Sequence, residues 1–259
     1  LQGQHVHVNA GATSTAQDAP LLFANGSTYD TNAAYDVYLA LTNAGPFSNR
    51  YVGAGVSFTA LASPPDHGGP APGHASDGSF VQMEFVSMQG PPGGEFGVWA
   101  QDPDDPETSR ELFHLAVGAN HGTNRLALSE SDGTPGADPY GHIHGRTFSA
   151  TEPGLYTLQC RLIDTSTNGL GGGPIHAPSP IYSFYFQAGL TISSWTKTSD
   201  SFALAFGTTA GKTYYVESIP DLLRTNWTTF AGPLTGNNHL QTVPTNSASA
   251  ILFFRIRAD

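Results

Sequence analysis

Apolar and polar side chains alternate with a period of two through most of this chain, and the spacing of an amphipathic helix is almost absent. Successive side chains of an extended backbone point to opposite faces, so such alternation marks strands with one face toward a core. The pattern predicts strands at 35–41, 52–61, 80–86, 96–100, 146–149, 155–162 and 181–186, then at 190–195, 201–206, 213–218, 227–230 and 251–257. Residues 112–117 read as strand or turn. The clearest strand is 155–162, in which Tyr156, Leu158, Cys160 and Leu162 would face the core. Gln89-Gly90-Pro91-Pro92-Gly93-Gly94 reads as the turn of a hairpin whose second strand is 96–100. Two stretches, 63–78 and 165–180, are rich in glycine and proline and read as long loops, a length that often goes with function.

The histidines thin out near residue 188, and only His239 lies beyond it. The expected architecture is therefore all-β: an antiparallel β-sandwich over 1–187 that bears the histidines, and a smaller accessory β-sandwich over 188–259. Thirty glycines and nineteen prolines suit many strands joined by turns. Trp195 and Trp227 are expected as core residues rather than as sugar-stacking platforms.

Charge narrows the partners. Ten Lys and Arg stand against 21 Asp and Glu, a formal net charge of −11. A nucleic-acid partner needs basic patches to neutralise phosphates, and an anionic membrane surface needs the same, so the balance argues against both as partner classes. The one cysteine, Cys160, permits no intrachain disulfide and no cysteine-based zinc site. No apolar run approaches the roughly 18 residues that span a bilayer, so no membrane span is expected. The start at Leu1-Gln2-Gly3, directly into strand-like sequence, is read as following a removed leader. With few lysines and many Gly, Thr, Ser and Asn, the chain reads as a secreted, periplasmic or cell-surface bacterial protein.

The candidate chemistry lies in two His-x-His pairs, His5-Val6-His7 near the N-terminus and His142-Ile143-His144 at the start of a strand. Positions i and i+2 of a strand share a face, so each pair presents two imidazoles side by side. Neutral imidazole suits zinc and copper, among other transition metals. The site is expected to need His5 and His7 on one strand and His142 and His144 on its neighbour. His121, His114 and His176 are further candidate ligands that would complete or close the set. His67 and His74, in a Pro/Gly loop, more naturally face water. The acidic run Asp102-Pro103-Asp104-Asp105-Pro106-Glu107 lacks the spacing of an EF-hand loop and reads as a solvated turn. No nucleophile-and-base constellation competes with the histidines.

Three segments of the first domain carry a resemblance: His5-Val6-His7-Val8, the run from Val86 to Trp99, and His142-Ile143-His144 followed by Phe148-Ser149 and Pro153-Gly154-Leu155-Tyr156. In order and spacing they resemble the bacterial surface-anchored protein domain of the choice-of-anchor M, or actinobacterial surface-anchored, type. The family often has an aromatic two residues after the second histidine, where this chain has Arg146. Association of that family with metal-uptake genes implies metal capture and a cell-surface or metal-transport partner, without naming the metal. The tail, with Ala210-Gly211-Lys212-Thr213-Tyr214-Tyr215-Val216-Glu217-Ser218, Asn226-Trp227-Thr228 and Phe253-Phe254-Arg255-Ile256-Arg257-Ala258, resembles C-terminal β modules of Verrucomicrobia and Planctomycetes exported proteins. That implies a non-catalytic accessory role.

The function expected is extracytoplasmic binding of a transition metal, zinc first and copper second, for sequestration or delivery. Two alternatives stand beside it. One is a cell-surface adhesion or glycan-binding module with incidental histidines. The other is a metalloenzyme with an open three-histidine position, for which Glu130, Asp132, Asp138 and Tyr140 are the nearest acid/base candidates.

Overall fold

A computed structural model describes residues 4–10, 21–25, 36–43, 45–60, 75–100, 109–129, 131–139, 141–197, 201–237, 239–245 and 252–259. Among them the chain is all-β. Eleven strands make the first sheet: β1 (Gln4–Ala10), β2 (Leu21–Asn25), β3 (Val37–Thr42), β4 (Arg50–Ala60), β5 (Val81–Gln89), β6 (Glu95–Ala100), β7 (Arg110–Ala116), β8 (Arg125–Ala127), β9 (Gly141–Ala150), β10 (Gly154–Asp164) and β11 (Tyr182–Ala188). Their order is β7-β6-β9-β4-β3-β11-β10-β5-β8, with β1 and β2 attached beside β4. The sheet curls over so that its two halves face each other as a sandwich. At its bend β3 and β11 run parallel, with Val37 opposite Phe186 and Leu39 opposite Ala188.

The core fills the space between the halves. From β10 come Tyr156, Leu158, Cys160 and Leu162, all buried as their alternation predicts. From β5 come Val81, Met83, Phe85 and Met88. Burying a side chain of this kind stabilises by about 1.5–3 kcal/mol. Phe96 of β6 and Phe148 of β9 meet Phe186 of β11 with ring centroids 4.8 Å away in each case, so one aromatic cluster joins both halves. Tyr156 packs against Phe96 from below, and its hydroxyl donates to the Glu152 carbonyl at 3.0 Å. This tyrosine corner pins the turn before β10 to the strand that follows it.

Two expectations about connectivity need correction. The turn 89–94 does not close a hairpin: β5 pairs with β10 and β8, while β6 pairs with β7 and β9. It is an arch that crosses from one half of the sandwich to the other, because the apolar faces of β5 and β6 meet across the core instead of lying edge to edge. The arch passes so close over Tyr156 that a Cβ at Gly90 would lie 2.7 Å, and one at Gly94 2.6 Å, from the tyrosine side chain. Glycine is required there for space. Second, the strands are not all antiparallel, since β1–β4 and β3–β11 are parallel.

Beyond Ala188 the remaining strands form two three-stranded sheets. They are β12 (Ile192–Lys197), β13 (Phe202–Gly207), β14 (Thr213–Ile219), β15 (Thr228–Thr235), β16 (Leu240–Thr245) and β17 (Phe253–Ala258). The orders are β12-β13-β16 and β15-β14-β17. Leu204, Phe206, Tyr214, Val216 and Val243 make their own core, and Phe202 stacks on Phe254 at 5.5 Å between the sheets. Trp195 is not a core residue. It lies on the edge strand β12 and is 64% exposed, with Phe202 packed against it at 5.9 Å. Trp227 is half-buried beneath the Arg255 guanidinium at 4.5 Å. No helix among the described residues is long and apolar enough to cross a membrane.

Candidate metal centre

β4 is the spine of the candidate site. One of its edges is taken along the strand by β9, antiparallel, from Tyr51 opposite Ala150 to Ala60 opposite Gly141. Its other edge is shared. β3 covers Arg50 to Val52, and β1 covers Val56 to Ala60 in parallel. The two His-x-His strands therefore flank the same segment of β4.

This corrects the expectation of neighbouring strands. β1 and β9 are not hydrogen-bonded to each other, because β4 lies between them. The reason is the length of β4: its eleven residues outrun six-residue β3 and leave an edge that β1 fills. A site built on two adjacent strands is ruled out. What the register creates in its place is a pair of rows across three strands. His7 is opposite Thr59, and Thr59 is opposite His142. His5 is opposite Ser57. On the far side of Ser57 the ladder bulges: β4 advances from Phe58 to Val56 while β9 advances from Ile143 to Arg146. His144 falls in that bulge, level with Ser57.

The other candidates are placed as follows. His114, on β7, is exposed, with its Nε2 3.5 Å from Glu95 and its Nδ1 3.5 Å from Glu111. His121 is buried, and its ring Nε2–H donates to the Ala116 carbonyl at 2.9 Å. His176 is buried, and its Nε2 accepts the Ser76 backbone N–H at 2.8 Å. Each of these three rings is engaged within the protein. Among the residues whose side chains are described, which leave out 4–10, 54–60 and 141–145, no group of three or more His, Cys, Asp or Glu gathers as a metal ion requires. His67, His74, the acidic run 102–107, Glu130 and Tyr140 lie outside the described residues. Asp132 is exposed and accepts from both the N–H and the hydroxyl of Thr134, which holds its carboxyl below the usual pKa. Asp138 is exposed.

Two features had no signal in the alternation pattern. Arg146 stands level with Val56 of β4 and Ala100 of β6, half-buried, with no hydrogen-bond partner for its Nε among the described residues, and burial lowers its pKa. Asp164 is a buried hub. Its Oδ1 accepts the N–H groups of Phe80 and Ser166, both at 2.9 Å, and its Oδ2 accepts those of Ile175 and His176. No family model, curated protein or solved structure matches the chain, so fold and site stand on their own residues.

Proposed function

We propose that the protein binds one transition-metal ion, zinc first and copper second, through imidazoles of His5, His7, His142 and His144 across β4, and serves in extracytoplasmic sequestration or delivery. The observation that carries the reading is the register His7–Thr59–His142 with His5 and His144 level at Ser57. Positions directly opposite each other in a pleated sheet share a face. Two strand spacings separate the β1 and β9 backbones by about 10 Å. Two imidazoles and metal–nitrogen bonds of about 2 Å each cover such a gap. The donor set is nitrogen-only and borderline in softness, which fits zinc and copper(II). The residues therefore fit the ion; when bound, it would supply a cation that satisfies neutral imidazoles and needs no redox step for sequestration.

The test is elemental analysis of the untagged full chain after reconstitution at neutral pH, beside His142→Ala/His144→Ala and His5→Ala/His7→Ala double variants. About one equivalent in the wild type, lost in both variants, supports the reading. Wild type without metal, or variants that keep a full equivalent, overturns it.

A second reading is adhesion through a glycan. It is favoured by the exposure of Trp195 on an edge strand whose neighbours Ser193, Ser194 and Thr196 are also exposed. An exposed indole on a strand edge is the chemistry that stacks on a neutral sugar ring. Binding to a polysaccharide in the presence of a chelator, abolished by Trp195→Ala, would support it; unaltered binding in that variant would remove it.

A further inference from the structure

The β1–β2 ribbon has a peculiar attachment. Among the described strands β2 hydrogen-bonds only with β1, in antiparallel register from Val6 opposite Asn25 to Ala10 opposite Leu21, and it also packs on β10. β1 in turn pairs with the rest of the sheet through one ladder, Gln4–Val8 against Val56–Ala60, and that ladder is parallel. Parallel pairing is slightly weaker per residue than antiparallel pairing. On the opposite edge of the same five residues of β4 lies β9, whose continuation, Arg146–Ala150, is also paired with β6. The candidate ligands thus fall into two classes. His142 and His144 belong to a strand whose continuation is held by both β4 and β6, whereas His5 and His7 belong to the ribbon.

We infer that the metal ion acts as a latch: by taking ligands from β1 and β9 at once, it fastens the N-terminal ribbon to the central sheet over β4. The inference rests on the proposed metal site and adds a consequence to it. An ion held by one His-x-His pair alone would leave the ribbon as it was. An ion held by both pairs exists only while the ribbon is docked, so it favours the docked state by mass action. Metal occupancy and ribbon docking then become the same equilibrium, coupled in both directions. A ribbon that is pulled away weakens the site, and a site that is emptied loosens the ribbon. For a protein that captures metal and hands it on, the ribbon is the element a delivery partner would displace to release the ion.

The experiment is hydrogen–deuterium exchange of the full chain read by mass spectrometry, without metal, with Zn²⁺, and in separate samples with Cu²⁺. Bound metal is measured on the same samples. Peptides covering Gln4–Ala10 and Leu21–Asn25 report the ribbon, and Val81–Gln89 reports the sheet at large. The expected result is that metal slows exchange in both ribbon strands at least tenfold. His142→Ala/His144→Ala, which alters only β9, should abolish this protection while β5 exchanges as before. Ribbon protection that survives in that variant would mean that β1 holds the ion alone, and the latch would be wrong. One equivalent of metal bound with unchanged ribbon exchange would also overturn the latch while leaving the metal site standing. No metal bound at all removes both. Fast exchange of β5 in the double variant would mark a fold defect, and His142→Gln/His144→Gln then gives the same reading with less loss of volume.

Discussion

Nε2 of His176 accepts the backbone N–H of Ser76 at 2.8 Å, tying together two segments 100 residues apart. The bond is one of several that stitch three loops at one end of the first sandwich. Asn168 donates to the carbonyls of Gly78 and Gly133 at 2.7 Å each, and Asp164 receives the N–H of His176 itself at 3.1 Å. The long stretch that reads in sequence as an open loop is thus a fastened one.

His176→Ala leaves the buried Ser76 N–H without its acceptor, which costs about 1–3 kcal/mol. Urea denaturation should show that loss at neutral pH. A His176→Ala variant as stable as the wild type would contradict the geometry.

Glu84 is buried on β5 between Arg161 of β10 and Arg125 of β8, one on each side in the same row. Arg125 Nη2 lies 3.0 Å from Oε1, and Arg161 Nη2 lies 2.6 Å from Oε2. Either arginine alone keeps the carboxylate paired. Arg125→Met or Arg161→Met should each cost about 1 kcal/mol. The double variant strands a buried carboxylate and should cost about 3 kcal/mol, more than the two singles together. A double-mutant cycle in urea measures the excess, and simple additivity would count against a shared carboxylate.

Glu217 repeats the device in the second module, where Arg255 Nε lies 2.7 Å and Arg257 Nε 3.1 Å from its oxygens. The hydrogen bonds from Arg255 and then Arg257 hold its carboxyl below the ordinary value of 4.5. A depressed folded-state pKa contributes stability above the unfolded value and loses it as pH falls through the folded one. The wild type should lose stability below about pH 4.5 more steeply than Glu217→Gln. Thermal melts between neutral and strongly acid pH give the two slopes.

Cys160 is wholly buried in the first core, and burial pushes its thiol well above its ordinary pKa. The thiolate is the reactive form, so a thiol reagent at mildly alkaline pH should leave the native protein unmodified. Denaturant should release one reactive thiol per chain. Modification of the native protein at the rate of the denatured one would place Cys160 outside the core.

Much of this fold could be read along the chain because alternation is a local property. Tyr156, Leu158, Cys160 and Leu162 announce their burial by their spacing alone. What alternation omits is which strands become neighbours. The Pro-Gly run at 89–94 announces a reversal of direction, but an arch and a hairpin both reverse. The choice is made by Phe85 and Phe96 facing a common core. Three-residue β8 is too short to show a period, and β2 and β16 carry too little alternation to stand out. The same limit applies to the histidines. Their residue types and i, i+2 spacing point to a metal, but the intervening Ser57 and Thr59 come from a strand fifty residues away from His5 and His7. Nothing near the pairs announces it. Trp195 departs from its pattern for a related reason: it stands in the row of Leu204 and Val243, but an edge position leaves it exposed.

The edge of β4 that β3 leaves to β1 also sets an order of assembly. β1 precedes β4 and β9 in the chain, yet it has no seat in the sheet until β4 is in place, and the two His-x-His strands flank one segment only once β9 holds the opposite edge. In the proposed site, an ion arriving before that assembly would meet two separate pairs of imidazoles, and one arriving after it would meet four.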